Sequence, residues 1–508
     1  MTTLRLKAAI YPAIAAAVLL TGCRVGPKYH TPPATAQAPP ISYKESPTQF
    51  KDTDGWKVAE PQDAMLHGKW WEIYNDPELN ALEEQIDINN QNIKQYFENF
   101  MAARSIVREA HSQLFPTATV GPSYQRSRSS ANLKNSTGTG GTSVGSQSSI
   151  GTLPLDVSWQ PDLWGKIRNT ISEYQFEAQL SAADLENERL SEQANLALFF
   201  FELRGQDALQ DLYTATIAAD QKALDYTQAQ YETGVGDKIS VVEAQNTLQN
   251  AESQAANLGI ARSQYEHAIA VLIGTNPSSF SIPRKALNAK PPAIPLGMPS
   301  QLLERRPDIA ASERAMASAN AQIGIADAAF YPDLTLSASG GFESSTFKHL
   351  FDWPSRFWSI GPSVSETVFD AGLRRATVQQ YTATYNANLA TYRQTVLAAF
   401  QQVEDYLASV RILSQQILKQ QEAEQSAQQF VDLETARYET GIDPYVNLVT
   451  AQTTLLNDQQ TLATLRIQAM ASSVQLIQAL GGGWDRTQLP TPSQVSAKPS
   501  KADTAIQR

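Results

Sequence analysis

The residue with the most distinctive chemistry is Cys23, the only cysteine among 508 residues. It follows Leu20-Thr21-Gly22, and Arg5 and Lys7 precede an apolar run over residues 8–20. This order is typical of a secretory signal peptide, and the run is too short for a convincing membrane span. A lone cysteine directly after small residues predicts cleavage before Cys23 and acylation of the new N-terminus. The alternative is a chance cysteine behind an ordinary signal peptide.

The acylated residue would anchor the chain to a membrane. Residues 1–22 are therefore assigned to the signal peptide, and residues 23–76, which are rich in proline, to a lipidated N-terminal segment. Several acyl chains on one residue anchor stably, whereas a single chain anchors only marginally. The sequence resembles sorted lipoproteins, in which Asp after the cysteine favours the inner membrane. Arg24 stands there instead, which favours attachment to outer-membrane lipid.

The remaining residues show no pattern that would support catalysis or ligand binding. No two of the five histidines have metal-ligand spacing, and the glycines of residues 138–145 lack the Lys-Ser/Thr of a phosphate loop. The acidic residues are scattered along helical patterns, as on a solvated face. A net charge of −11 argues against a nucleic-acid partner. The sequence thus predicts no enzyme, no metal site and no cofactor besides the lipid. The histidines are His30, His67, His111, His267 and His349.

The chain contains a long internal repeat. Tyr231-Glu232-Thr233-Gly234 recurs 207 positions later as Tyr438-Glu439-Thr440-Gly441, and residues 165–274 align on residues 372–481 without a gap. Upstream, Phe115-Pro116 matches Tyr331-Pro332 with nine more residues in the first copy, most simply in its loop. A duplication of this length indicates one structural unit used twice. The two units are assigned to residues 77–274 and 300–481.

Each repeat is predicted to contain two β-strands. A helical stretch, residues 79–113 or 307–329, ends at the aromatic-proline step, because proline cannot continue a helix. Alternation of apolar and small polar residues follows, as in 334–340, 153–160 and 359–364, and this period is that of a strand. A Ser-, Thr- and Gly-rich loop separates the first pair of strands.

The two faces of these strands differ as in a membrane barrel, apolar outside and polar inside. The alternative is a pair of half-buried hairpins in a soluble domain. Four strands per chain cannot close a barrel of at least about eight, and open edges in lipid leave backbone groups unpaired at a cost of several kcal/mol each. Three chains would supply twelve strands, and cyclic symmetry is the usual way to close such a ring.

A very long helix follows each pair of strands. Residues 165–233 and 372–440 contain no proline, and about 69 residues at roughly 1.5 Å each give on the order of 100 Å. Apolar residues at steps of three and four form a coiled-coil seam, so these helices must pack on partner helices. A plain filamentous coiled coil is the alternative, which the adjoining strands disfavour. The seam residues are Leu196, Phe200, Leu203, Phe400, Val403, Leu407 and Val410.

The long helices are predicted to turn back at two tips. Glycine ends a helix in the left-handed conformation, and Asp or Pro suits the start of the next helix. A linker over residues 275–299, rich in proline, is predicted to cross the outside of the tunnel that the assembled chains would enclose. Residues 482–508 are predicted to be a disordered tail. The tip residues are Gly234, Gly236 and Asp237 in the first repeat, and Gly441, Asp443 and Pro444 in the second.

Four segments resemble signatures of the outer-membrane factor lipoproteins, the NodT/OprM branch of the TolC-like proteins, and the similarity spans nearly the whole mature chain. The segments are residues 70–79 (WWEIYNDPEL), 304–309 (ERRPDI), 321–324 (AQIG) with Tyr331-Pro332, and 479–484 (ALGGGW).

The resemblance implies an α+β membrane protein: a homotrimer with a twelve-stranded β-barrel, a long periplasmic α-barrel of helical hairpins and an equatorial belt. It also implies docking of the tips to a periplasmic adaptor and an inner-membrane, proton-driven pump of the RND type. The export of drugs or other small toxic compounds follows from the same resemblance.

In this family the tunnel narrows at the helical tips, where side chains just after the turn of the second repeat form rings around the tunnel axis. Related members carry an aliphatic residue and, four residues on, an aspartate; here these positions are Val446 and Thr450. The matching positions of the first repeat are Ile239 and Glu243, so the acid has moved to the other hairpin or is a surface glutamate. The family's arginine–aspartate latch is in doubt, because Thr453 stands where an arginine would. We expect Val446 to form the tightest ring.

These observations support an outer-membrane exit duct of an efflux pump. A TolC-like duct for protein secretion and a periplasmic coiled-coil scaffold without a channel remain alternatives, and an envelope enzyme is a third. The lipidation motif and the family segments favour small-molecule efflux over secretion. The sequence leaves the transported substrate open, because in such systems the adaptor and pump select it.

Overall fold

A computed structural model describes residues 24–35, 39, 42–45, 68–128, 130, 147–287, 290–294 and 301–498. The predicted signal peptide, Cys23 and most of the Ser/Thr/Gly-rich loop lie outside these residues.

Two long helical hairpins dominate the fold. The first repeat contributes α1 (Pro77–Asn89), α2 (Gln91–Ser112), α3 (Lys166–Glu232) and α4 (Lys238–Leu272). The second contributes α5 (Leu302–Arg305), α6 (Pro307–Ala328), α7 (Leu373–Glu439) and α8 (Tyr445–Ala479), and α9 (Pro492–Ser496) follows. Both α3 and α7 have 67 residues, about 100 Å at about 1.5 Å per residue. The predicted long helices are confirmed, and the 207-residue shift relates their ends residue for residue.

The helix predicted over residues 79–113 is two helices. The chain leaves helical geometry at Asn90, with φ −61° and ψ 127°. Its side-chain oxygen accepts a hydrogen bond from Ile93 N at 3.0 Å and its amide donates to Leu272 O at 2.9 Å. Asparagine competes well for backbone groups at helix starts. The break is therefore stabilised by an N-cap and by the end of α4.

The strands form one antiparallel sheet. They are β1 (Thr117–Val120), β2 (Ser123–Arg128), β3 (Gln147–Trp159), β4 (Asp333–Ser344) and β5 (Arg356–Ser365). β1 and β2 both pair with β3, β3 pairs with β4, and β4 pairs with β5. The first of the four predicted strands is thus two segments, separated by Gly121-Pro122, where proline has no N–H for the ladder.

The main apolar core lies where the long helices meet the segment before α1. It contains the predicted seam, Leu196, Phe200 and Leu203 from α3 and Val403, Leu407 and Val410 from α7. Trp70 and Trp71 pack there edge to face, with ring centroids 5.9 Å apart. The seam is therefore buried within the chain as well as being helical.

The proline-rich linker is held by buried charges. Asp207 on α3 accepts hydrogen bonds from Arg262 Nε at 2.7 Å and from the backbone N–H of Lys285 at 3.0 Å. Arg204 donates to Pro283 O at 2.6 Å, and Arg262 donates to Ile282 O at 2.7 Å. Buried charges need such partners. The described part of the linker is thus fixed to α3 and α4.

The prediction of disorder after residue 482 is wrong for the residues that are described. A 3₁₀ turn (Arg486–Gln488) and α9 follow, and Val495 is fully buried beside Val107 and Ala178. Gln179 donates to Pro490 O at 2.8 Å, and Arg104 donates to Ala497 O at 3.2 Å. The composition of this segment predicts disorder, but composition does not report the stabilising contacts, which come from helices distant in sequence.

The described N-terminal segment begins beside the first repeat and continues along the second repeat. Val25 N donates to Trp164 O at 3.0 Å, just below the sheet. Tyr29 donates to Glu313 on α6. The backbone N–H groups of Lys44 and Glu45 then bond Glu404 on α7, at 2.7 and 3.0 Å. The chain therefore descends from the sheet–helix junction toward the middle of the long helices.

Candidate duct and helical tips

The sheet has one apolar and one polar face. Directly paired residues of an antiparallel sheet lie on the same face, and the pairing runs Ala118–Val157–Ala338–Ile360 across all four strand positions. The adjacent row is Thr117–Ser158–Ser337–Gly361. On the apolar face Trp358, Ile360 and Val364 are largely exposed. A single chain thus has an uncovered apolar sheet face, as a surface against lipid requires.

No helix among the described residues is long and apolar enough to serve as a membrane span.

The two tips have the turn geometry that the sequence predicts. Gly234 and Gly441 have φ of 77° and 71°, a left-handed conformation that glycine adopts without strain. Asp237 caps α4 by accepting from Ser240 N at 2.7 Å, and this hydrogen bond lowers the pKa of its carboxyl. Pro444 occupies the position before α8. Gly236 and Asp443 complete the two turns.

A salt bridge at the second tip escaped the sequence prediction. Arg437, in the last turn of α7, donates to Asp443 Oδ1 at 3.1 Å, and the guanidinium lowers the pKa of the Asp443 carboxyl. The equivalent residues of the first repeat are Gln230 and Gly236, so the pair occurs in one hairpin only. The charges six residues apart across a glycine turn were the available signal.

The two tips contact each other through aromatic residues. Tyr438 donates to Gln230 Oε1 at 2.8 Å, and its ring lies 5.8 Å from that of Tyr226 and 5.3 Å from that of Tyr445. The tips of one chain therefore pack as a unit.

Asp220 is also buried near this junction, 4% exposed, and its Oδ2 has no hydrogen-bond partner. Burial raises the pKa of the Asp220 carboxyl to about 6.

The predicted gate residues lie at equivalent surface positions of the two hairpins. Val446 and Ile239 are exposed in the first turns of α8 and α4. Thr450 lies one turn after Val446 and donates to its carbonyl oxygen at 2.8 Å. Glu243 is partly exposed. Thr453 donates to Val449 O within α8 at 2.8 Å.

Both the sheet and the helical layers have two open edges. Within the chain, the repeats meet where β3 pairs with β4 and where α3 packs on α6 and α8. At the outer edges, β5 and the β1/β2 position each pair on one side only within the part of the chain that the structure describes. The helices that pack extensively on α7 are α6 and α8. The two sheet edges are complementary. The edge strand of each repeat is equivalent to a strand of the other repeat that pairs on both sides, β1/β2 to β4 and β5 to β3.

The predicted lipidation site, Cys23, lies outside the described residues, and the structure describes its neighbour Arg24. Arg24 contacts the start of α3, where its guanidinium donates to Asn169 Oδ1. Asn169 Nδ2 in turn donates to Val25 O at 2.9 Å. Residue 24 is therefore held just below the sheet. Among the described residues no group of His, Cys, Asp and Glu is arranged to hold a metal ion.

Comparison with known proteins defines the class. The family model for "outer membrane efflux protein" matches residues 82–275 and 298–482, and the chain belongs to this family. It is an outer-membrane component of an efflux pump, whose other proteins are its partners. The matched ranges cover both repeats, so the duplication belongs to the family fold.

Individual relatives and solved structures agree with this family assignment. The chain is 31% identical to the probable efflux pump outer membrane protein TtgC of Pseudomonas putida, over 92% of this chain and 94% of that protein. It is 27% identical to the outer membrane protein OprJ of Pseudomonas aeruginosa, over 93% and 95%. The outer-membrane channel OprN superposes with a TM-score of 0.81 at 25% identity, over 91% of this chain and 100% of that chain. The CmeC channel of Campylobacter jejuni gives 0.84 at 22% identity, over 95% and 99%.

Proposed function

We propose that three copies of this chain form a continuous exit duct, with a twelve-stranded β-barrel in the outer membrane and an α-barrel in the periplasm. The duct passively conducts small toxic compounds that a periplasmic adaptor and an inner-membrane pump of the RND type deliver to it. Relatives named as toluene, solvent and antibiotic efflux proteins support apolar small molecules as its substrates.

The observation that carries this proposal is the pair of matched open edges. A sheet edge in lipid leaves unpaired backbone groups, each at a cost of several kcal/mol, and ring closure between copies removes every edge. Two copies would supply eight strands, but side chains fill the interior of an eight-stranded barrel. Three copies supply twelve strands and leave room for passage.

The assembly is tested by the mass of the protein extracted in detergent, after subtraction of the detergent. We expect the mass of three chains. A stable monomer would leave four strands unable to line a pore, and the duct would give way to a scaffold without a channel.

We also propose that acyl chains on Cys23 anchor each copy in the outer membrane. The position of Arg24 just below the sheet supports this, since chains attached to the preceding residue would enter the same membrane. The intact mass of the purified protein should exceed that of residues 23–508 by the acyl groups. A Cys23→Ser variant should lack this increment, and an unmodified wild-type N-terminus would refute the anchor.

The gate is proposed to be a ring of Val446 side chains, with the tips docking to the adaptor. Exposure of Val446 at the start of α8 supports a position facing the axis or a neighbouring copy. A Val446→Ser change should increase ion conductance and dye entry, because an apolar constriction impedes hydrated solutes. Val235→Ser, in the turn of the first tip, is the matched control and should leave both unchanged. Unaltered passage in the Val446 variant would exclude this gate.

A further inference from the structure

The end of the sheet farthest from the long helices carries arginine on its apolar face. Arg126 pairs with Ser149, and Arg128 pairs with Gln147. Both partners lie at even spacing from Val157 on β3, and residues at even spacing along a strand share a face. The apolar face that contains Val157 therefore continues, at this end, into two exposed arginines.

Strand β5 adds a third arginine to the same face. Arg356, its first residue, pairs with Phe342 at even spacing from the Ile360–Ala338 pair. The guanidinium of Arg356 lies over the ring of Trp353, and its Nε donates to Trp353 O at 3.3 Å. A cation is attracted to the face of an aromatic ring. This contact holds the Arg356 side chain at the exposed rim of the sheet.

The acidic residues at this end do not neutralise the three arginines within the part of the chain that the structure describes. Glu343 pairs with Thr152 and therefore lies on the polar face. Asp352 is occupied by His349, with Oδ2 and Nδ1 2.6 Å apart. Arg126 donates to a neutral acceptor, Oε1 of its neighbour Gln147, at 3.1 Å. The rim of the apolar face is therefore positively charged.

Exposed aromatic residues border the arginines on this face. Tyr124, two residues before Arg126, is 65% exposed, and Trp358, two residues after Arg356, is 81% exposed. Tyrosine and tryptophan favour the level of the lipid headgroups, where they form girdles around membrane barrels. The face thus changes from aliphatic to aromatic to cationic side chains, which is the order of hydrocarbon, interface and headgroup in a membrane.

The length of β3 places Arg126 at headgroup level. Residues 149–159 of β3 rise about 34 Å at about 3.4 Å per residue. A strand tilt of about 40° reduces this rise to a height of about 26 Å, close to the apolar band of about 25 Å in membrane barrels. Trp159 and the partner of Arg126 thus lie at opposite borders of the band. Arginine on a lipid-facing surface is tolerated at such a border and not at the midplane.

We propose that Arg126, Arg128 and Arg356 bind the phosphate groups of anionic lipids in the outer leaflet of the outer membrane. The proposal rests on the proposed barrel, in which this face meets lipid. A guanidinium can bind two phosphate oxygens through parallel hydrogen bonds, and clustered basic residues at a membrane surface attract anionic lipids. The duct would therefore hold a few lipid molecules at fixed places on its outer surface.

Lipid retention by the purified full-length protein tests the proposal. The protein is equilibrated with lipid A in detergent micelles and washed, and the lipid retained per trimer is counted by native mass spectrometry. The triple change of Arg126, Arg128 and Arg356 to Gln should reduce retention severalfold. The same three changes to Lys should retain an intermediate amount, because lysine keeps the charge but cannot form the paired hydrogen bonds.

A matched control removes three charges elsewhere. Arg284, Arg393 and Arg466 are exposed and lie outside the sheet, so their triple change to Gln should leave lipid retention unaltered. Lipid A whose phosphates have been removed is the second control. The wild-type protein should retain it severalfold less than intact lipid A, and this comparison needs no variant to fold.

The outcomes separate lipid binding from the assembly. Equal retention by the wild type and the sheet variant, both with the mass of three chains, would overturn the proposal and leave the duct intact. Equal retention of intact and dephosphorylated lipid A by the wild type would also overturn it, as would an equal loss in the matched control. A wild-type mass of one chain would refute the assembly on which the proposal rests.

Discussion

Gly205 is the one interior glycine of α3, and its lack of a side chain has a packing reason. Ile467 of the other repeat occupies the space where a Cβ would lie. Glycine within a helix costs about 0.5–1 kcal/mol relative to alanine, so its presence here exchanges helix propensity for close approach of two helices.

A Gly205→Ala change should therefore destabilise the protein by about 1–3 kcal/mol, the usual cost of an overpacked contact. Gly259→Ala on α4 is the control, because nothing lies within 4 Å of its Cβ position. That change should be neutral or slightly stabilising. The measurement is the free energy of unfolding in detergent, and equal effects of the two changes would contradict the close contact.

Asp220 gives the folded protein a pH dependence. Burial raises the pKa of its carboxyl from 3.8 to about 6, so the folded state binds the proton more tightly than the unfolded state. Stability is then greatest below pH 3.8 with respect to this group, and it falls as pH rises through about 6. Above that pH a charged carboxylate is buried without a partner for Oδ2.

Asp220→Asn should therefore stabilise the protein at pH 7–8 by up to about 3 kcal/mol. The gain should vanish by about pH 4, where both carboxyl and amide are neutral. Asp211→Asn, at an exposed position of the same helix, should show no such trend. Thermal unfolding between pH 4 and 8 measures this, and a gain independent of pH would rule out protonation as the cause.

At the scale of elements, Asp207 joins three parts of the chain. It binds Arg204 on its own helix, Arg262 on α4 and the backbone of the linker at Lys285. Its removal would leave two buried guanidinium groups with fewer acceptors.

Asp207→Ala should cost about 3–5 kcal/mol, as expected when one partner of a buried ion network is removed. It should also free the linker, seen as faster amide exchange or proteolysis near residues 282–287. Asp211→Ala, one turn later and exposed, should be nearly neutral. Protection of the linker that survives in the Asp207 variant would show that the charges do not hold it.

At the scale of the whole molecule, the two sheet faces should respond oppositely to charge. Ile360 lies on the apolar face of β5, and Ser359 lies on the other. Ile360→Arg should oppose membrane insertion by about 2–4 kcal/mol, the cost of arginine on a lipid-facing position near the bilayer midplane. Ser359→Arg should insert normally and alter ion passage instead. The amount of trimer in the outer-membrane fraction measures insertion, and equal losses would mean that the faces are assigned wrongly.

The sequence alone determined the features that are local or periodic. The 207-residue shift located both hairpins, the strand alternation located the sheet, and Gly234 and Gly441 located the tips. The strands and the glycine turns depend on backbone conformation within a few residues, which neighbouring side chains largely decide. The repeat is visible by direct comparison of the two halves of the chain. The position of the gate residues in a closed ring stays a prediction.

Only the tertiary structure decided the features that depend on distant partners. It divided the first helix at Asn90, where the end of α4 supplies an acceptor, and it ordered the segment around Val495, which α2 and α3 bury. It also explained Gly205, whose partner Ile467 is more than 250 residues away in sequence. Composition and periodicity describe a segment by itself, whereas the free energy of these contacts comes from surfaces that meet only after folding.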